Sequence, residues 1–487
     1  MIKKVFRDSA VYTVATVLSR GISLVLLPLY THSLSPNDYG SLDLLTVLAA
    51  LVHLTIALEI SQGIARFFPE AETHAERVSY ASTALWFTLA IYSVFAALGL
   101  IFSRELSTLI LDTPSQQGIV QIALVNLWLT GILYRTQGQL RYQLRPVAYS
   151  VVSILQILVT AGGTLLFLIH FELGIYAVFI GQILGTLAAL ALSIYFSRQV
   201  HRFTFSRKLL GIMLTFSIPL IPSGVAVFVS TYLDRILIKE MMTVADVGIF
   251  GIAVRISSII SLAFVGFQVA LTPLIYTHYK EPETPAALAR VSRYVIGLSL
   301  LLFSVLAVFS REIIGLMAPE DYQAAAAVLP TLVLGTLISL LYILAPGLGI
   351  AKQTKRFAAI NIIGAIINTI LNLILIPQIG IQGAAVATLI SASITFAITM
   401  FYSQRLYYVP HVWLSYAAVL AVTIGIFAIS GQFYGTTAAI LIKVGLIALV
   451  VAAIIGFGLV KPAEIAASLR LLRRRFQRPL IAPQHGE

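Results

Sequence analysis

Apolar residues run in long blocks along almost the whole chain, and short polar turns separate them. A helix that crosses the hydrocarbon of a bilayer needs about 20 such residues. About fourteen blocks meet that need, at 9–32, 40–66, 79–103, 117–139, 147–170, 173–197, 209–232, 245–276, 287–310, 324–350, 355–377, 381–404, 410–430 and 438–460. The pattern predicts an all-α polytopic membrane protein with about 14 transmembrane helices. No turn is long enough to fold as a separate domain, so any chemistry belongs to the spans and their short loops.

Composition agrees with that reading. Of 487 residues, 59% are hydrophobic and 11% charged, and the mean hydropathy is +0.95. A net charge of +12 would suit a nucleic-acid partner on a soluble domain, but the cations here are spread through the turns. The even-numbered turns and the two end segments hold most of the 32 Lys and Arg. Only Arg104, Arg235, Lys239 and Arg311 fall in the odd turns, and only Arg20, Arg255 and Lys443 within spans. The positive-inside rule then puts the even turns and both ends in the cytoplasm, with no nucleic acid implied. The basic start and long first block exceed a signal-peptide core of about 7–15 residues, so a retained span is expected. The absence of cysteine excludes disulfides and thiolate chemistry. The segment 461–487 interleaves leucines and arginines, as a positive-inside anchor or a segment lying on an anionic leaflet would.

The chain also repeats itself. "DYG" at Asp38–Gly40 matches "DVG" at Asp246–Gly248, an offset of 208, and each opens a span. "SRE" recurs at Ser103 and Ser310, an offset of 207, and the sixth span with its basic exit recurs from Leu173 to Ile379, an offset of 206. A six-span unit is even, so both copies enter the membrane from the same side. That is the parallel-repeat plan of alternating-access transporters, with the substrate between the halves. The expected divisions are 1–205 and 206–406 for the two lobes, 407–460 for two extra spans and 461–487 for a basic tail.

Charge and polarity inside the spans mark candidate chemistry. Thr13, Thr16, Arg20 and Ser23 lie on one stripe of the first span, facing either a cavity or a neighbouring helix. Arg255 stands in an otherwise apolar eighth span. Two membrane arginines with few acids nearby point to an anionic ligand. Glu59, Asp43 and Asp234 are the candidate partners or ion carriers, and Glu59 also suits a structural pair with Arg66. Asn361, Asn368 and Asn372 form a stripe that fits interhelical hydrogen bonding or, less simply, sugar recognition. Pro219 and Pro222 predict a bend in the seventh span. There is no GxxxxGK[ST] phosphate loop, no HExxH and no cluster with metal-ligand spacing, which argues against an ATP-driven pump and against an enzyme.

The order of features, a basic start, then "LPLYTHSLSPNDYGSLDLL", "QGIARFF" and "REIIGLMAPEDYQAAAAVLP", resembles the polysaccharide flippases of the multidrug/oligosaccharidyl-lipid/polysaccharide exporter superfamily. The resemblance implies a V-shaped transporter of two pseudo-symmetric six-helix lobes around a cationic lumen, with no cofactor and with proton or sodium coupling open. It implies a lipid-linked sugar on undecaprenyl pyrophosphate as cargo and residence in a bacterial inner membrane. A polysaccharide polymerase or export machinery would be the partner. Lipid II flippases in this superfamily carry important arginines in spans 1 and 8, where Arg20 and Arg255 stand by span. Arg66 is a third candidate for the cationic lumen. Many O-unit flippases have twelve spans, so the extra pair leaves a lipid II flippase as an alternative. A cation-coupled drug exporter is another, although relatives of that kind often use a carboxylate in span 1. A membrane polymerase or ligase is a third, and it lacks the large outer loop such enzymes carry.

Overall fold

A computed structural model describes Leu18 and residues 21–461, apart from some side chains between 262 and 274. Among the described residues there is helix and no strand. Twelve helices, or thirteen counting one bent pair, are long and apolar enough to cross a bilayer. They correspond to the second through fourteenth predicted blocks. The first block lies mostly outside the described residues, so the expected count of about fourteen is approximate.

The helices of the first half are α1 (Leu27–Ser33), α2 (Pro36–Thr55), α3 (Ile60–Phe67), α4 (His74–Ile101), α5 (Ser103–Leu111), α6 (Gln117–Tyr142), α7 (Pro146–Ile169) and α8 (Ile175–Ser197). The second half comprises α9 (Arg207–Ser217), α10 (Ile221–Met241), α11 (Val244–Ser257), α12 (Ile259–His278), α13 (Thr284–Val308), α14 (Ser310–Met317), α15 (Ala325–Leu340), α16 (Gly347–Ile350), α17 (Thr354–Ile379) and α18 (Ile381–Leu406). Two more spans follow, α19 (Trp413–Ser430) and α20 (Thr437–Gly456), packed against α13. Lys443 of α20 also ties that span to α14, its Nζ lying 2.6 Å from a Glu312 carboxylate oxygen.

The repeat is visible in the contacts. Ser35 and Asp38 form a capping box at the start of α2, and Thr243 and Asp246 form its copy at α11, 208 residues on. Each box satisfies amide groups that a helix start leaves unpaired. The two helices then cross almost backbone to backbone. A Cβ added to Gly40 would lie 1.9 Å from the Val244 carbonyl oxygen, and one added to Gly248 would lie 2.1 Å from that of Pro36. The contact is reciprocal, as a two-fold relation requires. A second pair obeys the same rule: Thr31 Oγ1 donates to the Met317 carbonyl, and Lys239 Nζ donates to the Leu109 carbonyl at 2.9 Å. Glycine is needed at 40 and 248 because no side chain fits between the crossing backbones. One apolar core, including Leu27, Val120, Phe250 and Leu329, runs through both halves at this end.

Breaks fall where backbone chemistry forces them, with one exception. Pro219 and Pro222 bring α9 to a close, and a short 3-10 turn, Ile218–Leu220, leads into α10. Pro346 separates α15 from α16. The second block was expected as one helix over 40–66, but α2 and α3 are bent by 47°. Leu58 and Glu59 hold left-handed backbone, φ 48° and 51°, at that bend. Such residues cost roughly 1–3 kcal/mol each and persist only where packing imposes them. Here Ser217 Oγ donates to the Leu58 carbonyl at 2.8 Å, and Tyr142 Oη donates to the Ser61 carbonyl at 3.0 Å. Met213 of α9 packs on Gly63, so α9 shares the core of α3 and α4. α9 therefore packs on the first half.

Candidate functional site

The helices of the first half enclose a cavity of about 560 Å³. It runs from Tyr149, Ser153 and Gln137, near the end of the molecule that carries the basic turns, toward Tyr30 and Arg255. Its polar wall comes from spans that are otherwise apolar, because their polar residues recur at three- and four-residue steps and so share one face. Asn126, Thr130 and Gln137 project from α6; Ser153, Gln156 and Thr160 from α7; Gln182 and Thr186 from α8. Among the described residues no Asp, Glu or Lys lines it, and Arg255 places a guanidinium on its wall. The Arg255 guanidinium stands 5.8 Å from the centre of the Tyr39 ring. Among the described residues no carboxylate forms an ion pair with it. Keeping a guanidinium at membrane depth costs from about 3 to more than 10 kcal/mol depending on access to water, which an aqueous cavity with room for an anion relieves.

Of the predicted residues, Arg255 and Ser23 stand on the wall of this cavity. Thr13, Thr16 and Arg20 lie outside the described residues. Arg66 was expected in the lumen, but it is half exposed and pairs with Glu70 one turn on. Its pairing also displaces the alternative of a Glu59–Arg66 bridge. Asp43 and Asp234 were candidate ion carriers. Both are engaged by Arg235, whose Nε lies 2.7 Å from Asp43 Oδ2 and Nη1 3.3 Å from Asp234 Oδ1. Arg235 is almost fully buried, and a buried triad of this kind joins α2 to α10 rather than leaving a free carboxylate. Asn368 donates to Ser391 Oγ at 3.2 Å, and Asn372 donates to the carbonyl of Asn368 at 2.9 Å. Asn368 thus ties α17 to α18 while Asn372 bonds within α17, and neither lines the cavity. Asn361 is exposed and donates to its own helix at the Phe357 carbonyl.

Glu59 does reach a cavity, but a second and smaller one of about 270 Å³. Arg135, Tyr92, Tyr134 and His53 share it, and His53 lines both cavities. His53 Nδ1 lies 2.6 Å from Tyr92 Oη. Arg135 is buried, with Nη2 3.1 Å from Gln139 Oε1 and its Nε unpaired. Just past α8, His201 is pushed down to about 4 by burial, reinforced by the positive charge of Arg135. Reading the spans one residue at a time missed the amides of α6, α7 and α8 and the buried Arg135. Their helical spacing was the available signal, at 126, 130 and 137 and again at 153, 156 and 160.

Two halves related by a parallel repeat, in contact at one end and with a polar cavity between their helices, define the transporter fold of the multidrug/oligosaccharidyl-lipid/polysaccharide superfamily. The same fold is found in the inward closed lipid II flippase MurJ, with a TM-score of 0.71 and 15% identity over 96% of this chain and 99% of that one. An inward-facing multidrug resistance MATE family transporter gives 0.66 and 14% identity over 81% of this chain and 94% of that one. The chain belongs to the polysaccharide biosynthesis protein family, whose model matches residues 5–278. The MatE model matches residues 219–374. Among curated proteins it is similar to Lsg locus putative protein 1 of Haemophilus influenzae, 22% identical over 58% of this chain and 68% of that protein. It is also similar to a probable low-salt glycan biosynthesis flippase, Agl15 of Haloferax volcanii, 24% identical over 44% of this chain and 45% of that protein.

Proposed function

We propose that the protein is a flippase that carries a lipid-linked glycan across the membrane by alternating access, and that its cargo is an oligosaccharide repeat unit on undecaprenyl pyrophosphate. The observation that carries this reading is Arg255, a guanidinium without an ion-pair partner among the described residues, on the wall of a polar cavity that no described carboxylate lines. A pyrophosphate supplies the missing counter-charge, and a polyprenyl chain can stay in the bilayer while the headgroup crosses. The printed description of Agl15 as a glycan biosynthesis flippase and of MurJ as a lipid II flippase supports the class of cargo.

In this reading the basic turns face the cytoplasm of a bacterial inner membrane. The contact of α2 with α11 closes the opposite end, so the structure corresponds to a state loaded from the cytoplasm. Transport requires that contact to open while the basic end closes, and the cargo drives the change only as far as it binds the two states differently. Of the three candidate carboxylates, Glu59 is the one without an ion-pair partner among the described residues, which favours it as the carrier of a coupling proton or sodium ion. A polysaccharide polymerase or export complex would take the product.

Purified protein in liposomes with a fluorescent polyprenyl-pyrophosphate sugar tests the reading. Wild type is expected to flip it, and Arg255→Ala and Arg20→Ala to lose most of the rate. Normal flipping by both variants, once inserted, would overturn the assignment of these arginines, and no flipping by wild type would overturn the cargo.

A further inference from the structure

We infer that the cavity of the first half is a glycan subsite that reads uncharged sugars through side-chain amides, with Arg255 holding the anionic linkage at its far end. The inference rests on the flippase reading and adds which half recognises the glycan, by what chemistry, and which sugars it disfavours.

The wall offers both halves of a hydrogen bond, as a sugar hydroxyl requires. Asn126 Nδ2 donates to Gln182 Oε1 at 2.7 Å. That bond leaves Asn126 Oδ1 buried as an acceptor without a partner, and leaves the Gln182 amide nitrogen to donate into the cavity. Gln156, one span away, makes no hydrogen bond to any described residue while it lines the same space. Small hydroxyl residues in a membrane helix commonly bond back to their own carbonyls. Thr46 and Ser153 do so here, to Leu42 and Tyr149, so they do not demand a ligand. The Gln156 amide has no such outlet among the described residues, so its donor and its acceptor are left to water or a polar guest in the cavity.

The fold does not require this polarity. At an offset of 207, Asn126, Thr130 and Gln137 correspond to Val333, Leu337 and Leu344, all buried in the apolar core. The corresponding positions are thus filled by aliphatic side chains in one half and by an amide, a hydroxyl and an amide lining the cavity in the other. The volume of about 560 Å³ lies in the range of roughly 300–1,000 Å³ usual for a small-molecule site, which admits a short oligosaccharide and not a polymer. With Arg255 present and no described carboxylate on the wall, a sugar bearing a free ammonium group finds no counter-charge there.

The test uses three lipids that differ only in the headgroup: undecaprenyl pyrophosphate, the same lipid with a neutral N-acetylated disaccharide, and that disaccharide after removal of its acetyl groups. Affinity for the purified full chain is read by native mass spectrometry. The neutral disaccharide is expected to tighten binding by roughly tenfold or more, and the deacetylated one to give no such gain. Asn126→Leu and Gln182→Leu should erase the gain, and cooperative thermal unfolding of each purified variant shows that it is folded. Equal affinities for the bare and neutral-glycan lipids in wild type, or a gain that survives both substitutions, would overturn the subsite. A wild type that binds the glycan lipid but does not move it in liposomes would overturn the flippase reading instead.

Discussion

The two halves share a helix plan and differ in what they enclose. The first half holds a polar cavity of about 560 Å³. The second has a mostly apolar one of about 280 Å³, bounded by Ile275, Ile343, Leu348 and Phe357 with Gln268, Tyr342 and Thr354. The shared parts are those that set the crossing of the halves: the capping boxes, the glycines at 40 and 248, and the paired side-chain bonds from Thr31 and Lys239. The lesson is that symmetry is kept where the halves touch and abandoned where a ligand would sit.

The crossing glycines give the largest test. A methyl at Gly40 meets a carbonyl oxygen at 1.9 Å, and backbone cannot yield as a flexible side chain can. Gly40→Ala and Gly248→Ala should each destabilise this state by about 1–3 kcal/mol or more, and by similar amounts if the two-fold relation holds. Paired spin-label distances across α2 and α11 should lengthen in both, and the cysteine-free chain makes such labelling clean. An effect at one glycine and none at the other would break the symmetry argument.

Next comes the ion triad. Arg235→Leu leaves Asp43 and Asp234 close together without their cation, and breaking a buried pair costs about 3–5 kcal/mol. A second change, Asp43→Asn with Asp234→Asn, should recover part of the melting temperature lost by Arg235→Leu. Full activity and unchanged stability in Arg235→Leu would show that the triad does not hold α10 to α2.

The smallest effect is predicted for Arg66. Its bridge to Glu70 is half exposed, and such pairs contribute about 0–1 kcal/mol. Arg66→Ala should leave both melting temperature and flipping within error of wild type. A loss as large as that of Arg255→Ala would return Arg66 to the binding site.

Much of this was legible in the hydropathy alone. Thirteen predicted spans found their helices, and the repeat anchored by "DYG", "DVG" and "SRE" became the crossing of α2 with α11 and the short helices α5 and α14. The bend at Leu58 and Glu59 was not legible, because nothing in those side chains favours left-handed backbone. It is imposed by Ser217 and Tyr142 from other spans. The partners of charges were equally hidden. Hydropathy locates Asp43, Asp234 and Arg66 along the chain, but only tertiary packing decides that Arg235 takes the first two and that Glu70 takes the third. The amide wall was readable as a pattern of spacings on three helices, yet its meaning depended on those helices facing one space.

The most direct test of the account is a matched pair of substitutions at repeat-related positions, Gln182→Leu in the first half and Thr388→Leu in the second, 206 residues on. Flipping of a polyprenyl-pyrophosphate-linked neutral disaccharide is measured in liposomes with the two variants at equal insertion. The account predicts a loss of roughly tenfold or more for Gln182→Leu and a rate close to wild type for Thr388→Leu. Equal losses, or a loss confined to Thr388→Leu, would contradict the assignment of glycan recognition to the first half.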